Sequence, residues 1–97
     1  MITHCALFTF TKDTKDEQVE ELKVALDTLK DEISQIQSFR AGKGAGLAST
    51  NCDFAVVVEF LDLESYQIYA QHPAHIKVIE EKLKPILLSR TAIQFEG

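Results

Sequence analysis

One short segment, residues 54–61, restricts the fold more than any other part of the chain. All of its residues except Glu59 are apolar, so the side chains that alternate between the two sides of an extended strand would be apolar on both sides. The alternation predicts a β-strand with Phe54, Val56, Val58 and Phe60 on one face and Ala55, Val57, Glu59 and Leu61 on the other. A strand that is apolar on both faces needs cover on both sides. Because a chain of 97 residues supplies helices for one face only, we expect a partner chain on the second face.

The size and charge of the chain exclude several classes of protein. Its 97 residues fit a single domain, residues 1–97, and 45% hydrophobic with 26% charged residues is typical of a globular protein. The net charge of −5 argues against nucleic acids and anionic membranes as partners. The longest apolar run is far shorter than a bilayer span, and the N-terminus does not resemble a signal peptide. We therefore expect a cytoplasmic protein with Cys5 and Cys52 as reduced thiols.

Hydrophobic periodicity predicts the remaining helices and strands. Thr14 and Glu17 fit a capping box that opens an amphipathic helix, and Asp62 and Pro73 mark two later helix starts. The predicted elements are a strand at 2–11, a helix from 14 to between 31 and 35, strands at 36–41 and 54–61, helices at 62–72 and 73–84, and a strand at 86–95. This order predicts a ferredoxin-like α+β fold, in which a four-stranded antiparallel sheet carries its helices on one face. The alternation places Cys5, Leu7, Val57 and Ile93 on the sheet face that has no helices, where an apolar patch indicates association.

The segment Gly42-Lys43-Gly44-Ala45-Gly46 has two interpretations. A phosphate-binding loop would need a Gly-Lys-Ser/Thr ending and a helix start directly after a strand, and this segment has neither. The alternative is a bend where the backbone approaches another segment closely. We therefore predict a structural role for these glycines.

The three histidines are the residues that could carry chemistry. His72 and His75 flank the Pro73 helix start, Tyr69 precedes them, and His4 lies on the first strand. A Tyr and a His that converge at such a junction suit proton abstraction next to a carbonyl, with imidazole as the base and phenol as the donor. The same residues could instead cap a helix or pack in the core. Metal binding would need a third ligand, which His4 could supply only through the tertiary fold.

These motifs resemble the stress-responsive A/B barrel family. The most specific part of the resemblance is the pattern Tyr-x-x-His-Pro-x-His at residues 69–75, and the opening strand with His4 and Phe8-x-Phe10 agrees with it. The resemblance covers essentially the whole chain. It implies a homodimeric α+β barrel in which two ferredoxin-like protomers pack their sheet faces together.

The resemblance also implies a site. A branch similar to the plant polyketide cyclases performs an aldol condensation in a pocket between the sheet and the helices. By position, Tyr69 and His75 correspond to the catalytic pair of that branch. The third strand here is apolar where that branch has a polar residue, so we expect a drier or more closed pocket. The expected ligand pocket includes His4, Phe8, His72 and Phe54.

Three functional hypotheses follow. The first is a homodimeric A/B barrel protein with a small apolar ligand pocket and a stress-related role, the second is a cyclase- or lyase-like enzyme on a carbonyl substrate, and the third is a structural or metal-bound oligomer. No cofactor and no specific metal site are predicted. An open cavity that joins His4 to Tyr69 and His75 would favour the enzyme, and a cavity filled by Phe8, Phe54 or Leu83 would count against it.

Overall fold

The computed structural model describes residues 1–97. The chain forms strands β1 (Ile2–Phe10), β2 (Ile36–Lys43), β3 (Phe54–Phe60) and β4 (Leu87–Glu96), and helices α1 (Asp16–Asp27), α2 (Leu29–Glu32), α3 (Leu63–Gln71) and α4 (Pro73–Val78). A π-helical turn (Ile79–Leu83) and a 3₁₀ turn (Lys84–Ile86) connect α4 to β4. None of the helices is long and apolar enough to cross a membrane.

The four strands form one sheet in the order β2-β3-β1-β4, and every neighbouring pair is antiparallel. The two central strands are β3 and β1, and the two edge strands are β2 and β4. This topology confirms the predicted ferredoxin-like α+β fold. It also interleaves the two halves of the chain, because β3 of the second half lies between the two strands of the first half.

The core lies between the helices and one face of this sheet. The predicted apolar face of β3 is buried there, and Val58 and Phe60 are 0% exposed. From α1 and α2, Leu22, Leu26 and Leu29 reach the same layer and are at most 2% exposed. The three- and four-residue spacing of these leucines puts them on one side of the helical segment, which is why this side packs against the sheet.

The other sheet face carries no helix. Antiparallel pairing aligns Arg40, Val57, Cys5 and Ile93 in one row across the four strands. Val57 is 37% exposed, Ile93 is 59% exposed, and Phe95 in the adjoining row is 49% exposed. We call the surface formed by residues 5, 7, 57, 93 and 95 the open face. Its composition agrees with the sequence prediction of an uncovered apolar face.

Two helix boundaries differ from the sequence prediction. Lys15, not Thr14, is the N-cap of α1, and its backbone N–H donates to Oε1 of Gln18 over 2.9 Å. The hydroxyl of Thr14 instead pairs with the hydroxyl of Thr11 at 2.8 Å, so it is not available to cap the helix. The last predicted helix, at 73–84, is α-helical only as far as Val78, and the chain then continues as the wider π-helical turn. Asp62 caps α3 as predicted, since its Oδ1 accepts from the Ser65 N–H at 2.9 Å.

The glycine-rich segment runs from the end of β2 into the loop that leads to β3, and no helix starts after it. The Gly44 N–H donates to the Asp53 carbonyl over 2.7 Å, which brings the two sides of the loop together. A Cβ at Gly44 would lie 3.1 Å from the Cys52 carbonyl oxygen. This close approach of two backbones explains the glycine, as the second interpretation of the sequence predicted.

Candidate functional site

A cavity of about 260 Å³ lies between the helices and the buried face of the sheet. Most of its lining is apolar and includes Ala6, Phe8 and Leu83. The polar side chains that reach it are His4, Tyr69, His75, Lys84 and Arg90. An apolar cavity with a few convergent polar groups is the usual form of a small-molecule site. A larger cleft of about 440 Å³ near Lys12 and Lys43 is lined mainly by polar residues.

His4 lies on β1, on the face that packs against the helices, and is 5% exposed. The Gln94 side-chain amide donates to its Nδ1 over 2.9 Å. In this arrangement Nδ1 is the acceptor, so the neutral ring carries its proton on Nε2. Burial lowers the pKa of His4 to about 4, and the charges of Arg90 and His75 act in the same direction. At neutral pH His4 is therefore an uncharged hydrogen-bond donor.

Tyr69 and His75 meet because the chain changes direction between them. Tyr69 lies near the end of α3, and Pro73 starts α4 after a single extended residue. The ring centroids of Tyr69 and His75 are 4.3 Å apart, with the ring planes inclined by 35°. The two tilted rings are in contact, and no hydrogen bond joins the Tyr69 hydroxyl to His75. The pair is thus close enough to act on one molecule in the cavity.

The protonation states of this pair follow from their surroundings. Nδ1 of His75 lies 3.3 Å from the Ala70 carbonyl, which can only accept, so Nδ1 carries the proton and Nε2 the lone pair. Burial lowers the pKa of His75, although the Ala70 hydrogen bond opposes the shift. Tyr69 is 2% exposed, and burial raises the pKa of its hydroxyl. At neutral pH the cavity therefore contains a free imidazole base beside a protonated phenol.

Arg90 and Lys84 also reach the cavity, and sequence reasoning did not assign them to the site. Arg90 pairs with Phe8 across β1 and β4, so both side chains lie on the helix side of the sheet. The charge of Arg90 influences the pKa of His4, Tyr69 and His75. The alternation of β4, which places Arg90 on the same face as Gln94, was the signal that could have identified it.

Two residues of the expected pocket lie elsewhere. Nδ1 of His72 accepts from the Ala74 N–H at 3.1 Å, so His72 caps α4 and does not line the cavity. Phe54 is 2% exposed in the core, where its ring packs against Phe8 at 6.2 Å and Phe10 at 5.9 Å. Of the four expected pocket residues, the structure brings His4 and Phe8 to the cavity. Phe8 and Leu83 form part of its wall and do not fill it.

The wider turn after α4 contributes to the cavity wall. Ile79 and Leu83 stand at the two ends of the π-helical turn, and both line the cavity. Such turns are rare and occur frequently at functional sites. Among residues 1–97, no group of three or more His, Cys, Asp or Glu side chains could hold a metal ion. The three histidines therefore do not form a shared ligand set.

The sequence as a whole matches a known domain. The family model of the Dabb family, described as the stress responsive A/B barrel domain, matches residues 2–96. The chain belongs to the Dabb family. This membership confirms the resemblance that the Tyr-x-x-His-Pro-x-His pattern indicated. No curated protein matches the chain.

Solved structures similar to this Dabb protein include dimers. A dimeric ferredoxin-like protein of unknown function from Thermobifida fusca is 33% identical, with a TM-score of 0.91 over 99% of this chain and 90% of that one. A dimeric protein from Bacteroides fragilis, also of unknown function, is 25% identical, with a TM-score of 0.87 over 99% and 95% of the two chains. A hydroxynitrile lyase from Passiflora edulis is 10% identical, with a TM-score of 0.84 over 97% and 90%, which shows a shared fold alone.

Proposed function

We propose that the protein is a homodimeric A/B barrel that binds a small, largely apolar molecule in each protomer. One observation carries the ligand proposal: the cavity of about 260 Å³ is lined mostly by apolar side chains, and its polar groups converge on the same space. The cavity is slightly smaller than the roughly 300–1,000 Å³ of sites for drug-sized ligands. The expected ligand is therefore compact, with one apolar part and one or two polar groups.

The open face supports the homodimer. Val57, Ile93 and Phe95 expose apolar surface there, and a second sheet would bury it. Packing of two identical faces is the usual form of a two-fold dimer. The similar proteins from Thermobifida fusca and Bacteroides fragilis are both described as dimeric. Sedimentation at micromolar concentration is expected to give twice the mass of the chain, and a stable monomer would contradict the dimer.

Ligand binding can be tested by filling the cavity. Ile79 lines it, and Ile79→Phe adds volume inside the space. Ile76→Phe is the matched control, because Ile76 is 46% exposed and does not line the cavity. With toluene as an apolar probe, NMR titration is expected to shift cavity resonances in the wild type and in Ile76→Phe, and to fail in Ile79→Phe. Equal shifts in all three proteins would contradict binding in this cavity.

A second candidate function is catalysis on a carbonyl compound, and the Tyr69–His75 pair favours it. Nε2 of His75 would remove a proton from the carbon next to the carbonyl group. The Tyr69 hydroxyl would donate a hydrogen bond to the oxygen that becomes negative. The ring contact at 4.3 Å and the raised pKa of Tyr69 support these roles. The Passiflora edulis neighbour is a hydroxynitrile lyase, so at least one protein with this fold is an enzyme.

Proton exchange is a direct test of this second candidate. Acetophenone in D₂O would exchange its methyl protons faster with the protein if His75 is a base, and NMR measures the rate. His75→Gln is expected to reduce the catalysed rate by about 100-fold or more, and Tyr69→Phe by less. His72→Gln is the control, because His72 caps a helix outside the cavity. Equal rates for His75→Gln and wild type would contradict the assignment.

The biological setting is also a proposal. The description of the family supports a stress-related role. The unpaired thiols of Cys5 and Cys52 are typical of the cytoplasm, which is the proposed location. A deletion strain is expected to lose tolerance to heat or oxidants. Unchanged tolerance to both would contradict the stress-related role.

A further inference from the structure

Arg90 brings a permanent positive charge to the wall of the cavity. It lies opposite Phe8 in the sheet and lines the cavity together with His4, Tyr69 and His75. The protein forms three ion pairs between side chains, and Arg90 takes part in none of them. Its guanidinium group therefore has no anionic partner within the chain.

No other group of the cavity offsets this charge. No Asp or Glu side chain lines the cavity. Lys84, the second cation of the lining, already pairs with Glu80 over 2.7 Å. The imidazoles of His4 and His75 are uncharged at neutral pH because burial lowers the pKa of each. The cavity thus presents one unmatched positive charge beside an apolar interior.

We propose that the ligand is an organic acid whose carboxylate pairs with Arg90 and whose apolar part fills the cavity. This inference rests on the small-molecule binding proposed above. A guanidinium group has the planar, forked geometry that binds a carboxylate through two parallel hydrogen bonds. Arg90 is exposed at the surface, whereas Ala6 and Phe8 are buried. The carboxylate would therefore lie at the mouth and the apolar part against Ala6 and Phe8.

A pair of probes with the same shape separates charge from packing. Benzoate and benzamide differ mainly in charge, and NMR titration at pH 7 gives the affinity of each and the residues that respond. Wild type is expected to bind benzoate about 10-fold more tightly than benzamide. Arg90→Gln is expected to weaken benzoate binding by about 10-fold and benzamide binding much less, which removes the preference. Lys30→Gln removes one positive charge from the exposed face of α2 and is expected to keep the preference.

Each contrary result has a distinct meaning. If benzamide binds in the cavity and benzoate binds no better, the carboxylate assignment is wrong and the small-molecule site survives. If Arg90→Gln weakens both probes equally, Arg90 acts through packing, which also overturns the assignment. If neither probe shifts cavity resonances, the binding proposal fails and this inference fails with it. An unchanged urea unfolding curve for Arg90→Gln establishes that the variant is folded.

Discussion

Val57 and Val58 are neighbours in the chain and belong to different environments. Val58 is 0% exposed and packs under the helices, opposite His4 and Phe39 in the sheet. Val57 is 37% exposed on the open face, in the row with Cys5. The same residue type therefore stabilises the protomer on one side of the strand and, by our proposal, the dimer on the other. The two faces of β3 therefore supply apolar surface to two different interfaces.

The largest expected effect comes from a charge on the open face. Val57→Lys appears twice in a two-fold dimer, and each copy replaces apolar surface with an ammonium group that the interface would desolvate. The dissociation constant of the dimer should therefore rise by about 100-fold or more, as sedimentation equilibrium would measure. Val24→Lys is the control, since Val24 is 55% exposed on α1 in the helical layer. A Val57→Lys protein that stays dimeric would contradict the assignment of Val57 to the dimer interface.

Truncation on the buried side should act on the fold instead. Val58→Ala removes two methyl groups from a fully buried position, and we expect about 2–3 kcal/mol less stability to urea unfolding. The dimer dissociation constant should change much less than in Val57→Lys. If Val58→Ala instead weakened the dimer and left unfolding unchanged, the assignment of the two faces would be reversed.

Much of this fold could be predicted because periodicity and pairing act locally. The alternation of β3 determined which residues are buried, and Asp62 and Pro73 marked helix starts. The N-cap of α1 was predicted one residue early, because a contact between Thr11 and Thr14 decides it. The π-helical turn carried no recognised pattern in the sequence.

The site was predictable to a lesser extent. The junction at Pro73 predicted that Tyr69 and His75 would approach each other, and alternation placed His4 on the helix side. The volume of the cavity between them depends on how side chains from distant segments pack in the core, which a local sequence pattern does not predict. His72 and Phe54 were expected at the pocket because they belong to the right segments. Their orientations depend on a helix cap and on packing between aromatic rings.

The buried side of the sheet can also be tested by pH, because it contains the imidazole of His4. The pKa of His4 falls from 6.5 in the unfolded chain to about 4 in the folded protein, so the unfolded state binds more protons between these values. Stability is therefore full above pH 6.5 and lost as the pH falls toward 4. Wild type should lose about 2 kcal/mol between pH 7 and pH 5 through His4. Urea unfolding of His4→Gln should show a shallower pH dependence, and an equal slope would contradict the burial of a neutral imidazole.

The smallest expected effect isolates the open face from the fold. Ile93 is 59% exposed in the protomer, so Ile93→Ala should change monomer stability by no more than about 0.5 kcal/mol. The same substitution in the dimer should weaken association, because a second sheet would bury Ile93. Measuring Ile93→Ala in wild type and in Val57→Lys separates these contributions, as in a double-mutant cycle. A loss well above 1 kcal/mol in the monomeric background would show that Ile93 stabilises the protomer itself, and the division between the two faces would then be wrong.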